Sequence, residues 1–138
     1  MIDLETALED DILARTLCGE ARGEGDKGMQ AVANVVMNRV DRPGWWGSAV
    51  KDVCLKPYQF SCWLINDPNR SVILNLDDGF SIYRDALAIA QQACGGTLED
   101  ITNGATSYYA KGSPEPKWAI GKEPCAVIGR HLFYSDID

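Results

Sequence analysis

Two glutamates among small residues form the segment most suited to acid chemistry. Glu20 and Glu24 lie in the run from Cys18 to Gly25, where most of the other residues are Gly or Ala. Small neighbours let a ligand approach Glu20 closely, and a carboxyl packed on apolar residues at a helix end is desolvated, which favours its protonated form. A protonated carboxyl can act as a general acid. The alternative is that both glutamates are solvated and that Arg22 pairs with one of them.

A second segment combines aromatic rings with hydrogen-bonding side chains. Its members are Gln59, Phe60, Ser61 and Trp63. Proteins bind sugars with such residues, because aromatic faces pack on C–H surfaces while amides and hydroxyls bind the ring hydroxyls. For Phe60 and Trp63, core packing is the alternative.

Further polar and aromatic candidates are scattered along the chain. They are Asn38, Tyr108, Tyr109, Trp118 and His131. Asn38 precedes Arg39 near the end of a helix, where the helix dipole by itself favours a cation. His131 lies in an apolar run with strand composition, where a hydrogen-bonded core histidine is the alternative to a ligand or a base.

Composition excludes several classes of function. The chain has 138 residues and a net charge of −7, with an isoelectric point near 4.6, which disfavours a protein that neutralises nucleic-acid phosphates. No apolar run reaches the ~18 residues of a membrane span. One histidine and five cysteines without a C-x-x-C pair give weak support to zinc or Cys-His chemistry, so we expect neither metal nor cofactor.

The five cysteines are interpreted as reduced and mostly buried thiols. Such thiols behave as small hydrophobic side chains. The alternative is a disulfide between Cys54 and Cys62, which would form if the protein works outside the cytoplasm.

Three helices are predicted to position the candidate residues. Apolar residues at spacings of three and four begin at Leu4 and predict a first helix, with one buried face, that ends near Cys18 to Glu20. Asp26 is the expected N-cap of a second helix, which Arg42-Pro43-Gly44 terminates. A third helix is predicted over 81–94, with Ser81 as its cap.

The rest of the chain has a different character. The aromatic stretch 45–63 predicts turns and short extended pieces, whereas 106–109 and 127–134 have strand composition. Three helices followed by a small antiparallel sheet make an α+β protein, and no linker divides residues 1–138, so we expect a single domain.

Six blocks of this sequence resemble, in order, the bacterial cell-wall hydrolase family typified by the spore-cortex-lytic enzymes, which also includes phage lysins. The blocks are Glu20-Ala21-Arg22-Gly23-Glu24, Ala31-Val32-Ala33-Asn34-Val35-Val36-Met37-Asn38-Arg39, Gln59-Phe60-Ser61-Cys62-Trp63, Gly104-Ala105-Thr106-Ser107-Tyr108, Trp118-Ala119 and Ile128-Gly129-Arg130-His131-Leu132-Phe133-Tyr134. The resemblance runs from about residue 10 to 135. Any one block would be weak evidence, but six in the right order are specific.

The resemblance implies a lysozyme-like, lytic-transglycosylase fold with Glu20 as the catalytic acid. The implied substrate is the β-1,4 bond between N-acetylmuramic acid and N-acetylglucosamine in peptidoglycan glycan strands. The residues expected to orient the sugar are Ser61, Gln59, Tyr108 and His131. The expected binding set is completed by Asn38, Phe60, Trp63, Tyr109 and Trp118. Glu24, beyond Gly23, is assigned a structural role.

Three other functions stay open at this stage: a muramidase-type hydrolase, a cell-wall amidase or peptidase, and an inactive peptidoglycan-binding protein. The N-terminus, with Asp3 and Glu5, is acidic where a secretory signal is basic. We therefore expect synthesis in the cytoplasm and release to the wall as a phage endolysin during host lysis. We also expect the protein to be a monomer.

Overall fold

A computed structural model describes residues 1–137. Its regular elements, in chain order, are α1 (Glu9–Ala21), α2 (Gly25–Asp41), α3 (Val50–Leu55), α4 (Pro68–Leu74), α5 (Ser81–Cys94), β1 (Ser107–Ala110), β2 (Ala126–Ile128) and β3 (His131–Tyr134), with 3-10 turns at Arg22–Glu24, Ser61–Trp63 and Lys117–Ala119. Five helices precede a three-stranded sheet in the described chain. The α+β prediction is confirmed.

Helix α1 lies at the centre of the helical part and contacts α2, α3, α4 and α5. Its seven residues 12–18 are all buried. A helix buried on every side must be surrounded by other elements rather than lie on a surface. The expectation of one buried face was therefore wrong, and so was the start at Leu4, because the helix begins at Glu9.

A buried arginine joins α1 to the segment after α4. Nη1 of Arg15 donates to the backbone carbonyls of Ile73 at 2.7 Å and Leu76 at 2.8 Å, and its Nε donates to Asp11 at 2.9 Å. The guanidinium also lies 5.1 Å from the ring centroid of Tyr83 in α5. One cation thus connects three helices.

The second helix begins two residues earlier than expected. Gly25 is its first residue and Glu24 its cap position, so Asp26 lies in the first turn and is not the N-cap. Gly25 has a φ of 76°, a backbone conformation that glycine adopts without a steric penalty. The predicted stop is confirmed, because the helix ends at Asp41.

Two short helices were missed between α2 and α5. The stretch 45–63 contains α3, and α4 follows it. The start of α4 carries a readable signal: Asp67 accepts a hydrogen bond from the backbone N–H of Asn69 at 2.8 Å, and Pro68 opens the first turn. In the third predicted helix, Phe80 and not Ser81 occupies the cap position.

The sheet is antiparallel in the order β1-β3-β2. The predicted strand 127–134 is two strands, because Gly129 has a φ of 57° and turns the chain between β2 and β3. Tyr108 of β1 is opposite Phe133 of β3, and Phe133 packs in a small core with Ala31 and Val35 of α2. The sheet thereby docks on the helical part.

All five cysteine thiols are free, and Cys18, Cys54 and Cys62 are buried. Burial raises the pKa of Cys18 to about 11 and that of Cys54 to about 12, so both stay protonated at neutral pH. Within residues 1–137, no helix has the length and apolar character that a membrane span requires.

Candidate active site

Glu20 lies in the last turn of α1, where α1 meets the sheet and the turn Ser61–Trp63. Its carboxylate accepts two hydrogen bonds, one on each oxygen. The hydroxyl of Tyr108 donates to Oε1 at 3.1 Å, and the backbone N–H of Cys62 donates to Oε2 at 3.4 Å. Three elements far apart in sequence therefore orient one half-buried carboxylate.

Close approach of the Ser61–Trp63 turn to α1 depends on Gly19. A Cβ at this position would be 2.6 Å from both the Cβ and the Sγ of Cys62, which is below any ordinary contact. Burial, followed by the negative charge of Glu20, raises the pKa of the Cys62 thiol far above its usual range. A nucleophilic cysteine needs a lowered pKa, so Cys62 is a neutral packing partner of Glu20.

A pocket of about 340 Å³ opens beside Glu20. It is lined by Glu20, Arg39, Trp45, Tyr58, Gln59, Phe60, Ser107, Tyr108, Trp118 and Ile137. Of the residues that the sequence singled out as site members, Glu20, Gln59, Phe60, Tyr108 and Trp118 meet here. Among residues 1–137, Glu20 supplies the one carboxylate in this lining.

Tyr108 is held from both sides while it contacts Glu20. Its ring stacks on Phe133 at 5.4 Å between centroids and meets the edge of His131 at 5.4 Å. Burial and the neighbouring carboxylate of Glu20 raise the pKa of Tyr108 well above its usual value. The phenol therefore stays protonated and acts as a hydrogen-bond donor to Glu20.

Arg39 contributes a buried positive charge to the pocket wall. Its Nε donates to the carbonyl of Thr106 at 2.7 Å, and its guanidinium carbon lies 5.5 Å from the ring centroid of Phe60. Burial lowers the pKa of Arg39 from its usual value. The helix dipole thus does not account for this residue, because its side chain fastens α2 to the segment before β1.

Glu24 and His131 form a separate pair outside the pocket lining. Nδ1 of His131 lies 3.6 Å from Oε1 of Glu24, so the start of α2 meets the start of β3. Glu24 makes a structural contact here, and His131 reaches the site through the ring of Tyr108.

Four other expected binding residues do not line the pocket. Asn38 donates to Asp100 at 3.0 Å and to the carbonyl of Ala105 at 2.9 Å, and Trp63 donates from its indole to Thr16 at 2.9 Å. Tyr109 belongs to an aromatic cluster with Trp118 and Tyr134, and Ser61 is exposed at the start of its turn. Their roles in substrate binding stay predictions.

Five lining residues were absent from the expected set: Arg39, Trp45, Tyr58, Ser107 and Ile137. For two of them a signal existed. Trp45 and Tyr58 belong to the aromatic stretch 45–63, of which only 59–63 was interpreted as sugar-binding.

Sequence comparison matches residues 23–134 to the Cell Wall Hydrolase family. The matched region begins just after Glu20. Two curated relatives are spore cortex-lytic enzymes, from Halalkalibacterium halodurans (29% identical) and Bacillus subtilis strain 168 (27% identical), each aligned over 124 residues, or 88% of this chain. The alignments cover 33% and 36% of these relatives, so the chain spans about a third of their length.

Structure comparison finds the same fold in two solved catalytic domains. The catalytic domain of the germination-specific lytic transglycosylase SleB from Bacillus anthracis has a TM-score of 0.69 at 24% identity, covering 96% of this chain and 98% of that one. The catalytic domain of the Bacillus cereus SleB protein has a TM-score of 0.70 at 25% identity, covering 91% and 88%. The predicted lytic-transglycosylase fold is confirmed.

Proposed function

The chain belongs to the Cell Wall Hydrolase family, and from this premise we propose that it is a peptidoglycan lytic transglycosylase. The bond cleaved is the β-1,4 bond between N-acetylmuramic acid and N-acetylglucosamine. Support comes from the pocket at Glu20, from the fold shared with the SleB catalytic domains, and from the similarity to spore cortex-lytic enzymes.

The observation that carries this proposal is the single carboxylate of the pocket. Glycosidases that hydrolyse their substrate generally need a second carboxylate, which acts as nucleophile or base. Among residues 1–137, the pocket lining contains no carboxylate besides that of Glu20, and Glu24 pairs with His131. A transglycosylase needs no second carboxylate, because a hydroxyl of the substrate itself is the nucleophile.

Glu20 takes both proton-transfer steps in this mechanism. Protonated Glu20 donates its proton to the glycosidic oxygen, the bond from that oxygen to the anomeric carbon breaks, and N-acetylglucosamine leaves with a free hydroxyl. The C6 hydroxyl of the muramic acid then attacks the anomeric carbon and gives its proton to ionised Glu20. The product is a 1,6-anhydro sugar, and Glu20 is again protonated.

The pocket supplies contacts suited to a sugar. Trp118 presents a ring, and the amide of Gln59 can bind hydroxyls. Phe60 is 2% exposed and belongs to the core beneath the lining, as its alternative interpretation expected. Nη1 of Arg39 donates a hydrogen bond to Oε1 of Gln59 at 3.4 Å, which fixes the orientation of the Gln59 amide. Tyr108 acts as a positioning residue, since its hydroxyl holds Oε1 of Glu20.

Mass spectrometry of digested peptidoglycan tests the proposal. We expect fragments that end in 1,6-anhydro-N-acetylmuramic acid. Fragments with reducing ends would identify a muramidase-type hydrolase instead, and released stem peptides with intact glycan strands would identify an amidase or peptidase. A protein that binds peptidoglycan and releases nothing would be an inactive binding protein.

Removal of the Tyr108 hydroxyl is expected to reduce turnover without unfolding the protein. In Tyr108→Phe the ring still stacks on Phe133, but Oε1 of Glu20 loses its donor. A hydrogen bond to a charged group contributes about 1.5–3 kcal/mol, so kcat should fall about tenfold or more while KM changes little. Steady-state kinetics on soluble glycan fragments and a thermal melt measure the two effects. Unchanged kcat would contradict the positioning role.

Action at the cell wall follows from the proposed substrate. The roles as a phage endolysin and in host cell lysis, release from the cytoplasm, and the monomeric state stay predictions from the sequence.

A further inference from the structure

Two exposed aromatic side chains border the pocket at Glu20 and extend beyond it. Trp45 also lines a neighbouring pocket of about 570 Å³ with Arg42 and Ile137, whereas Tyr58 also lines one of about 420 Å³ with Pro57 and Ile65. These two outer pockets have no lining residue in common. The pocket at Glu20 thus continues past Trp45 and past Tyr58 into neighbouring depressions. A further depression of about 530 Å³ shares Trp45 with one outer pocket and Pro57 with the other.

Trp45 is exposed on a rigid support. Its side chain is 53% exposed, and its ring lies 5.3 Å from that of Trp46, which is buried. The indole N–H of Trp46 is fixed by the carbonyls of Arg39 and Arg42, both at 3.1 Å. Contact with this fixed ring restricts the Trp45 indole on one side, so its free surface can bind a ligand at a lower cost in conformational entropy.

Tyr58 combines high exposure with an unfavourable backbone. Its side chain is 82% exposed and its φ is 67°. Positive φ is uncommon outside glycine and asparagine and is a genuine outlier for a bulky side chain. Strained residues persist mainly at functional sites, and an exposed ring adds little to the core that could compensate for the strain. Ligand binding accounts for a tyrosine at this strained and exposed position.

We propose that Trp45 and Tyr58 are stacking platforms for sugar rings of the glycan strand that lie beyond the ring bound at Glu20. The protein then binds internal segments of long strands, because the groove leaves the pocket on more than one side. This inference rests on the proposed function and identifies its substrate as long glycan strands rather than strand ends.

Charge supports a glycan as the occupant. The protein has a net charge of −7 and its wall substrate is anionic, so long-range attraction contributes little to binding. Stacking of neutral aromatic rings on sugar C–H faces does not depend on such long-range attraction. Both platforms carry no charge.

The test uses the full chain with Glu20→Gln, which binds without cleavage, and measures affinity for peptide-free glycan strands by calorimetry. Adding Trp45→Ala or Tyr58→Asn should each weaken binding of long strands about three- to tenfold, and weaken binding of a tetrasaccharide less. Asn tolerates positive φ, so Tyr58→Asn should keep or raise the thermal midpoint while affinity falls.

Phe80→Ala is the matched control. Phe80 is a 49% exposed aromatic that lines none of the three pockets, and its replacement should leave affinity unchanged. Tyr58→Phe should retain binding, because the ring remains.

Long-strand affinity that is unchanged in both variants would overturn the inference while the proposed function stands. Equal losses of affinity for stem peptides without glycan would also overturn it, since the occupant would be a peptide. If the protein with native Glu20 releases no fragment from sacculi and the Glu20→Gln protein binds no strand, the proposed function has failed, and this inference fails with it.

Discussion

Glu20→Gln is expected to abolish peptidoglycan cleavage, lowering the rate by about 10²- to 10⁴-fold, the usual contribution of a general acid and base. Glutamine keeps the shape of the side chain and can still accept a hydrogen bond from Tyr108, but it has no proton to give to the leaving oxygen. The change should leave the fold intact. Fragment release from purified sacculi measures the rate, and circular dichroism checks the fold.

Glu24→Gln is the matched control for this prediction. Glu24 lies in the same short run of sequence, yet its carboxylate contacts His131 and does not line the pocket. It should retain most of the activity. If the Glu20 variant cleaved at nearly the native rate, or if the Glu24 variant were the inactive one, the assignment of the acid would be wrong.

The largest loss of stability is expected for Arg15→Met. Arg15 is 4% exposed, and its removal would take the buried guanidinium from the carbonyls of Ile73 and Leu76. The carboxylate of Asp11 would lose one of its two side-chain donors and keep the hydroxyl of Tyr83. Breaking a buried charged network in this way costs about 3–5 kcal/mol. The thermal midpoint should fall by about 10 °C or more, as measured by calorimetry.

Arg84→Met provides the comparison at an exposed position. Within the described residues 1–137, the exposed side chain of Arg84 donates only to the carbonyl of Asp78, so its loss should change the free energy of unfolding by less than about 0.5 kcal/mol. Similar melting curves for the two variants would show that the contacts of Arg15 contribute little.

Local signals account for the parts of the fold that the sequence predicts well. The apolar spacing in α2 and α5 and the stop at Arg42-Pro43-Gly44 depend on neighbours in the chain, and both helices were found. Helix α3 has six residues and α4 has seven, too few for a repeating pattern. Their helical form depends on packing against α1, and the start of α4 at Asp67 and Pro68 is the one local signal described for them.

The site was predictable only in part, for a related reason. Glu20 stands out because its neighbours are small, and Tyr108 stands out through the family resemblance. Arg39 does not, because its role arises from burial beneath the pocket. The aromatic character of Tyr58 is visible in the sequence, but its positive φ is not. Burial depth and backbone angle are properties of the folded chain.

The bond between Glu20 and Tyr108 spans 88 residues. The ribosome therefore synthesises the residues of all five helices before it adds Tyr108. Strand β3, which pairs with the strand of Tyr108, is synthesised later still. Contacts of such long range are slow to form. During its own synthesis the protein therefore carries Glu20 without Tyr108, and the proposed catalytic centre is complete only once β3 has paired with β1.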